Sequence, residues 1–378
     1  MKFVACFILL LFFSYGESGK YFIQPKTFNL KNEYRRFLEE YEDFKKNEPN
    51  FAKNYNNETF LKQRAVQFER ILTQIKAHNE NYKLGLVDYS RKPMQYSDWS
   101  PELKQKRLCG ARMRPKPRAL SNAQLLRIIK GWPKLPNNTQ VNNCQFPNPV
   151  RDQQTCGCCW AFSTISVIES ILMTKKNIKT ELSVQQLVDC DDADEGCDGG
   201  WPTTSFRYMQ VNGLTSGQQY AYKNMQQQAC RKAGHRNVLP PQFIVKQIEV
   251  EFKGDEESLR KLLYRTKSPV VIAAHANEAF MSVYTGRYKN ETCPKNDPNH
   301  AMVMCGFGSD KFGDYWLIRN SWSANWGENG FIKMAANNTC GVASFAMYPV
   351  IVGVRELDPF LGEIYEKQFR DDDRRYRD

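Results

Sequence analysis

A change of texture near residue 140 sets the tightest limit on what this chain can fold into. Upstream, from Phe28 to about Asn81, apolar residues recur at helical spacing. Tyr34, Phe37, Leu38, Tyr41 and Phe44 form one series. Phe60, Leu61, Phe68, Ile71, Leu72 and Ile75 form another beyond the break at Pro49. Helices with one apolar face and Lys, Arg and Glu elsewhere must pack on one another or on a partner. Downstream, from about 140 to 350, helical runs at Trp160–Thr174 and Ser183–Cys190 come first. Short strand-like runs follow at Phe243–Glu249, Val270–Ala274, Ala301–Cys305, Tyr315–Ile318 and Phe331–Met334. Early helices and late strands define an α+β arrangement rather than alternating βαβ units. Between the blocks, residues 85 to 140 carry Pro93, Pro101, Pro115, Pro117, Pro133 and Pro136 and a basic patch from Lys104 to Arg118. This composition predicts an extended linker with one short helix at Asn122–Lys130, a natural place for proteolytic processing.

The 378 residues leave room for two or three folding units, and the downstream block alone can bury a sizeable core. A hydrophobic content of 41% excludes wholesale disorder. The formal charge of +12 invites anionic partners, yet the basic residues are spread along the chain, so nucleic-acid binding is not expected. At the N-terminus, Lys2 precedes the apolar stretch Phe3–Phe13 and the small residues Ser14, Gly16, Ser18 and Gly19. This pattern predicts a secretory signal peptide over residues 1–19, too short to span a bilayer, and no stable membrane insertion elsewhere. Export permits disulfides. It also makes Asn57, Asn137, Asn290 and Asn337 glycosylation candidates, since each opens an Asn-x-Thr sequon. Past Val352 the chain ends in a charged extension, with one helical stretch at Leu357–Phe369.

The sharpest local signal is Gln153-Gln-Thr-Cys-Gly-Cys-Cys-Trp-Ala-Phe-Ser163, which places Cys159 just ahead of an apolar helical pattern. A sulfur there lies near unpaired backbone N–H groups and the positive end of the helix, and both favour the nucleophilic thiolate. A secreted cysteine is more often a disulfide partner, so a nucleophile also needs a base. Of the four histidines, His78 and His235 lie in charged surroundings that suit surface residues, and His275 closes a strand-like run. His300 directly precedes the apolar run Ala301–Cys305, where a strand holds its ring. Asn320 follows the strand at Tyr315–Ile318 among Trp316, Trp322 and Trp326. Its amide oxygen is expected to accept the His300 Nδ1 proton, leaving Nε2 for the sulfur. Cys156, Cys158 and Cys159 fit no usual structural zinc spacing, so neither metal nor cofactor is expected.

Together these residues resemble the papain-like cysteine peptidases. The segment Gln153–Ser163 matches that family's catalytic-cysteine signature, Asn299-His300-Ala301 its base segment, and Arg319-Asn-Ser-Trp322 its orienting Asn with a shielding Trp. His300 and Asn320 follow Cys159 by about 140 and 160 residues, close to the separations of this class. The resemblance implies Cys159 as nucleophile, His300 as base, Asn320 as orienting group, Gln153 in the oxyanion hole and Trp322 as shield. It implies a substrate pocket from Gly199, Gly200, Trp201, Pro202, Ala273, Ala274, Asn299 and Phe345. The implied fold is α+β and two-lobed, with a helical left lobe, an antiparallel, barrel-like right lobe and a helical propeptide ahead of both. Implied disulfides are Cys156–Cys197, Cys190–Cys230 and Cys293–Cys340. Cys109 and Cys144 are candidates for an extra bridge, and Cys305 for a buried free thiol. Cys158 stands where the family carries Ser or Ala, and a bridge to Cys159 would need strained geometry.

The pro-region helix motif of the family falls on Phe60, Arg64, Phe68, Ile71, Ile75 and Asn79, with Phe60 and Ile71 departing from the usual Glu and Asn. The element that follows it, Gly-x-Asn-x-Phe-x-Asp, is poorly preserved in Leu84–Ser90. These matches divide the chain into a propeptide at 20–136, a peptidase domain at 137–352 and the extension at 353–378. They imply a monomeric, thiol-dependent endopeptidase that hydrolyses peptides and proteins, made as a zymogen with its own propeptide as inhibitor. Cystatin-like proteins would be external inhibitors, and the destination would be secretion or a lysosomal or digestive compartment. The apolar pocket lining implies an apolar residue two places before the scissile bond (P2). The alternative reading is a catalytically inactive papain-like secreted binding protein.

Overall fold

The computed structural model describes residues 31–113, 122–227, 229–230, 236–241 and 243–351; the expected signal peptide, His235 and the C-terminal extension lie outside the described residues. The upstream block is helical in four pieces: α1 (Asn32–Glu40), α2 (Glu42–Asn47), α3 (Pro49–Asn54) and α4 (Glu58–Lys83). Pro49 opens α3 and holds Glu48 in extended backbone, which separates it from α2. The Asn57 side chain caps α4 by accepting from the Phe60 N–H. On α4, Leu61, Arg64, Phe68, Ile71 and Ile75 are buried at spacings of three and four. Tyr34, Phe37, Leu38, Tyr41 and Phe51 pack onto Leu61 and Phe68 as a core separate from that of the rest of the chain.

Buried charge lies beside that small core. Lys45 Nζ meets Asp98 at 2.6 Å and Glu48 at 3.3 Å, and Arg64 meets Glu48 at 2.8 Å and Asp98 at 3.0 Å. The Tyr34 hydroxyl and the Trp99 indole N–H donate to Asp98 and Glu48, so the carboxylates are fully engaged. Asp98 lies in Tyr96-Ser97-Asp98, downstream of the stretch expected to hold the second pro-region element.

The linker is more ordered than its prolines suggest. Strand β1 (Tyr89–Arg91) is clamped to α4 by two hydrogen bonds between the Asn79 amide and the Arg91 backbone. Helix α5 (Pro101–Leu108) starts with Pro at its first turn and a Ser100 cap. Helix α6 (Asn122–Lys130) lies against the outside of the downstream block. There Leu125 and Ile129 face Ile248, Val250, Leu262 and Tyr348.

The downstream block begins with β2 (Val141–Asn142) and the central helix α7 (Cys159–Lys176). Every residue of α7 from Cys159 to Leu172 is buried, the mark of a helix surrounded on all sides. Helices α8 (Val184–Cys190) and α9 (Pro202–Asn212) complete a helical lobe, and β3 (Leu214–Thr215) pairs with β4 (Asn237–Leu239). The second lobe is a sheet built from β5 (Ile244–Glu251), β6 (Val270–Ala274), β7 (Val283–Tyr288), β8 (His300–Asp310), β9 (Gly313–Arg319), β10 (Phe331–Ala335) and β11 (Phe345–Ile351), with α10 (Glu256–Thr266) alongside. No described helix is long and apolar enough to cross a membrane.

The expected barrel is corrected here. The strand order is β1-β7-β10-β9-β8-β6-β11-β5, with β2 beside β8, and β1 and β5 are separate edges rather than partners. Closure would require those edges to meet, but β1, from the pro-region, occupies one and β5 the other. The sheet is also mixed, since β10 runs parallel to β7. β8 pairs through its first half with β6 and through its second with β2, and its register against β9 shifts between Met304 and Gly306.

Cysteine pairing needs a second correction. Cys156–Cys197, Cys190–Cys230 and Cys293–Cys340 are joined, but Cys144 bonds Cys305, not Cys109. Pairing of β2 with β8 sets Val141 opposite Phe307 and Asn142 opposite Gly306, which delivers Cys144 to Cys305. Cys305 is therefore no free thiol. Cys109 lies instead in the cleft between the lobes, with its sulfur 3.9 Å from the Ala276 carbonyl oxygen.

Candidate active site

The N-terminus of α7 faces the start of β8, which brings the first residues of the two elements together. Cys159 opens α7, and its sulfur accepts from the Ala301 N–H at 3.4 Å. Ala301 follows His300, so the backbone of the base segment reaches the sulfur although the two residues are far apart in sequence. His300 Nε2 donates to Asn320 Oδ1 at 2.8 Å, and the same oxygen accepts from the Ser321 N–H. This reverses the expected use of the ring. Asn320 takes Nε2, and Nδ1 is the buried nitrogen left without a hydrogen-bond partner. Trp322 stacks on the imidazole with centroids 4.4 Å apart and planes 28° apart, which shields the His–Asn bond from water.

Gln153 is fully buried beside this pair. Its Oε1 accepts from the Ser321 hydroxyl at 2.7 Å, which leaves Nε2 as a donor aimed at the cleft. That donor is already engaged by the pro-region, since Nε2 lies 3.2 Å from the Leu108 carbonyl oxygen and 3.3 Å from that of Arg107, while the Cys156 carbonyl of its own domain lies at 3.1 Å. Two residues on, the Gly110 N–H donates to Cys159 Sγ at 3.3 Å. A Cβ at Gly110 would collide with the Gly157 carbonyl, so only glycine fits where the segment crosses the site. Beyond it, the Ala111 N–H donates to Asn299 O, the Gly200 N–H to Gly110 O, and the Arg112 N–H to Gly200 O. Past the end of α5, residues 109–112 thus run along the Gly200 backbone as an extended segment joined by one parallel bridge at Ala111.

Coverage changes the electrostatics of the dyad. Burial, opposed by the Asn320 hydrogen bond, lowers the His300 pKa to about 4. Burial also pushes the Cys159 thiol up, although the N–H groups of Ala301, Gly110 and Trp160 pull it down. Under the pro-region strand the pair is therefore neutral thiol and neutral imidazole.

Several residues expected to line a substrate pocket lie near one another. The rings of Trp201 and Phe345 meet edge to face at 6.1 Å, and Phe345 is in register with Ala273. Ala274 is opposite His300 across the β6–β8 pair, and a Cβ at Gly199 would run into the Arg112 side chain. Three residues with no role expected from sequence also belong here. Ser321 orients Gln153. The Tyr222 hydroxyl donates to the Gln153 carbonyl at 2.7 Å and accepts from the Cys158 thiol at 3.2 Å. Glu249 accepts from the Trp201 indole N–H at 3.2 Å. Ser321 sat inside the quoted Arg319–Trp322 segment and was readable as a neighbour of Asn320. Tyr222 and Glu249 carried no local signal.

A thiol at a helix start, an imidazole held by an amide and an amide donor beside both define a cysteine peptidase site. The profile of the papain family cysteine proteases matches residues 135–350, and the chain belongs to that family. It is 32% identical to mouse (Mus musculus) cathepsin K over 302 residues, covering 79% of this chain and 89% of the relative. It is 33% identical to digestive cysteine proteinase 1 of Homarus americanus over 289 residues, covering 74% and 85%. Among solved structures, the digestive procathepsin L2 proteinase from Tenebrio molitor larval midgut superposes with a TM-score of 0.70 at 29% identity, covering 83% of this chain and 100% of that one. The protein is a thiol-dependent endopeptidase made as a zymogen.

Proposed function

We propose that residues 108–112 keep this enzyme latent by occupying its catalytic groups, and that their removal frees Cys159, His300, Asn320 and Gln153 for peptide hydrolysis. One observation carries the reading: the Leu108 carbonyl is on Gln153 Nε2 while the Gly110 N–H is on the Cys159 sulfur. Once the strand leaves, water raises the His300 pKa and lowers that of Cys159, and a proton moves from sulfur to Nδ1. The thiolate attacks a substrate carbonyl, whose oxygen takes the place of the Leu108 oxygen at Gln153 Nε2 and the Cys159 N–H. Such a donor contributes on the order of 3 kcal/mol to the transition state. His300 then protonates the leaving amine, and water attacks the acyl-enzyme with the same ring as base. Asn320 keeps the ring in the tautomer that these steps need.

The pro-region, 20–136, is the intramolecular inhibitor and 137–352 the peptidase. The family's destinations support secretion or a lysosomal compartment, where exposed Asn57, Asn137 and Asn337 are available for glycosylation. For P2 the reading is an apolar side chain. Trp201, Phe345 and Ala273 wall the pocket, and the Glu249 carboxylate is tied to Trp201 and Thr203 rather than offered to substrate.

An epoxide directed at activated thiols is expected to label processed, reduced enzyme stoichiometrically at Cys159. Absence of labelling would favour a non-catalytic binding protein. In a substrate series varying only P2, Leu or Val is expected to give the higher kcat/KM, and a preference for Arg would overturn the pocket assignment.

A further inference from the structure

Four disulfides use eight cysteines of the described chain and leave Cys109, Cys158 and Cys159 free, all buried. Four bridges are the signature of an oxidising compartment, where neighbouring thiols do not stay reduced without reason. Two of the three free cysteines come close where the segment crosses the site. The Gly110 nitrogen, 3.3 Å from Cys159 Sγ, is bonded directly to the Cys109 carbonyl carbon. Standard bond lengths then place the Cys109 Cα within about 6 Å of the nucleophilic sulfur. The Cys109 thiol now faces the Ala276 carbonyl on the far side of the strand, with no strong partner there. A turn about its Cα–Cβ bond together with a shift of the segment toward Cys159 would bring the two sulfurs together. Cys158 is the poorer partner, because its thiol is held by Tyr222 and a bridge between adjacent residues strains the backbone.

We propose that Cys109 and Cys159 form a disulfide that locks the zymogen covalently, so that reduction must precede loss of the pro-region. This rests on the assignment of residues 108–112 as the strand occupying the cleft. The oxidant is a disulfide, RSSR, of the secretory route, acting during folding before the cap closes over the sulfurs. The Cys159 thiolate attacks one sulfur of RSSR, giving Cys159–S–S–R and RS⁻. The Cys109 thiolate then attacks the Cys159 sulfur, forming the internal bridge and releasing a second RS⁻. Two protein thiols lose two electrons and two protons, and RSSR becomes two RSH. Excess thiol reverses both steps and returns Cys159 as a nucleophile.

The test uses the full-length zymogen, equilibrated with glutathione disulfide, alkylated in denaturant and digested without reduction. Wild type is expected to yield a linked peptide pair containing Cys109 and Cys159, with Cys158 as the one alkylated cysteine of the three. C109S and C109A are expected to lose the link and to show no Cys109–Cys159 species at any oxidant ratio. A Cys158–Cys159 link, a glutathione adduct on Cys159 without a link, or three alkylated thiols in wild type would each overturn the lock. The wild-type map stands on its own if a variant fails to fold. Epoxide labelling of the processed, reduced enzyme is independent of Cys109, so failure of the lock and failure of the catalytic assignment give different results.

Discussion

The cap and the peptidase domain bury their polar groups by opposite means. In the cap, the pairs joining Lys45, Glu48, Arg64 and Asp98 are packed beside a small aromatic core, and no disulfide joins its described residues. In the peptidase domain four disulfides tie a much larger apolar core, and the Arg151–Glu169 pair is its main buried ionic contact. Buried ion clusters add little net stability, but they fail sharply when one member is neutralised. Disulfides act on the unfolded chain and ignore protons. Latency therefore resides in the half of the molecule that acid can take apart.

The most disruptive change should be Asp98→Ala, which strands Lys45 and Arg64. Removing one member of such a cluster costs about 3–5 kcal/mol. The zymogen should show an early thermal transition and leak activity, while the processed enzyme melts as before. A stable, latent variant would erase the contrast. Next, replacing both Cys144 and Cys305 with Ser should cost the peptidase domain about 2–4 kcal/mol in denaturant titration, since that bridge closes a 161-residue span. The cap transition should not move.

Acid should act on the halves in opposite directions. The covered His300, at about 4, binds fewer protons than an uncovered imidazole near 6.5. The hold of the strand on the dyad is thus greatest above the ordinary histidine range and declines as pH falls through it. Asp98 is held below the carboxylate range by Arg64 and Lys45 against the effect of burial, so its contribution is lost only at lower pH still. In the peptidase domain, burial and the neighbouring Asp194 push Asp191 up to about 7, which makes that lobe firmer as pH drops below neutrality. Melting curves of zymogen and processed enzyme from neutral to acid pH should diverge, and a parallel shift would contradict the assignment. The smallest effect belongs to the joint between the halves. Arg70 pairs with Glu278 at 2.6 Å in a partly exposed setting, and Lys104 also reaches that carboxylate. Arg70→Ala should weaken pro-region binding by less than about 1 kcal/mol, read as its dissociation rate.

Legibility in the sequence followed the same division. Cys159, His300 and Asn320 were readable because each stands at the edge of an apolar run that places it, and α7 because its apolar pattern is unbroken. The linker was misjudged because six prolines outweighed local signals that were present: Ser100-Pro101 is a cap followed by a first-turn proline, the start of α5. Asp98 passed unnoticed because its partners, Lys45 and Arg64, come from α2 and α4, and burial of that carboxylate exists only after the helices pack. The Cys144–Cys305 bond depends on the register of β2 against β8, which no spacing rule contains. The open sheet and the choice of imidazole nitrogen likewise depend on which edges and rings meet in three dimensions.

Gly110 has a consequence at the level of the gene. The strand passes the sulfur at a residue with no side chain, and even a methyl group there would strike the Gly157 carbonyl. One altered codon would therefore force this segment away from the sulfur.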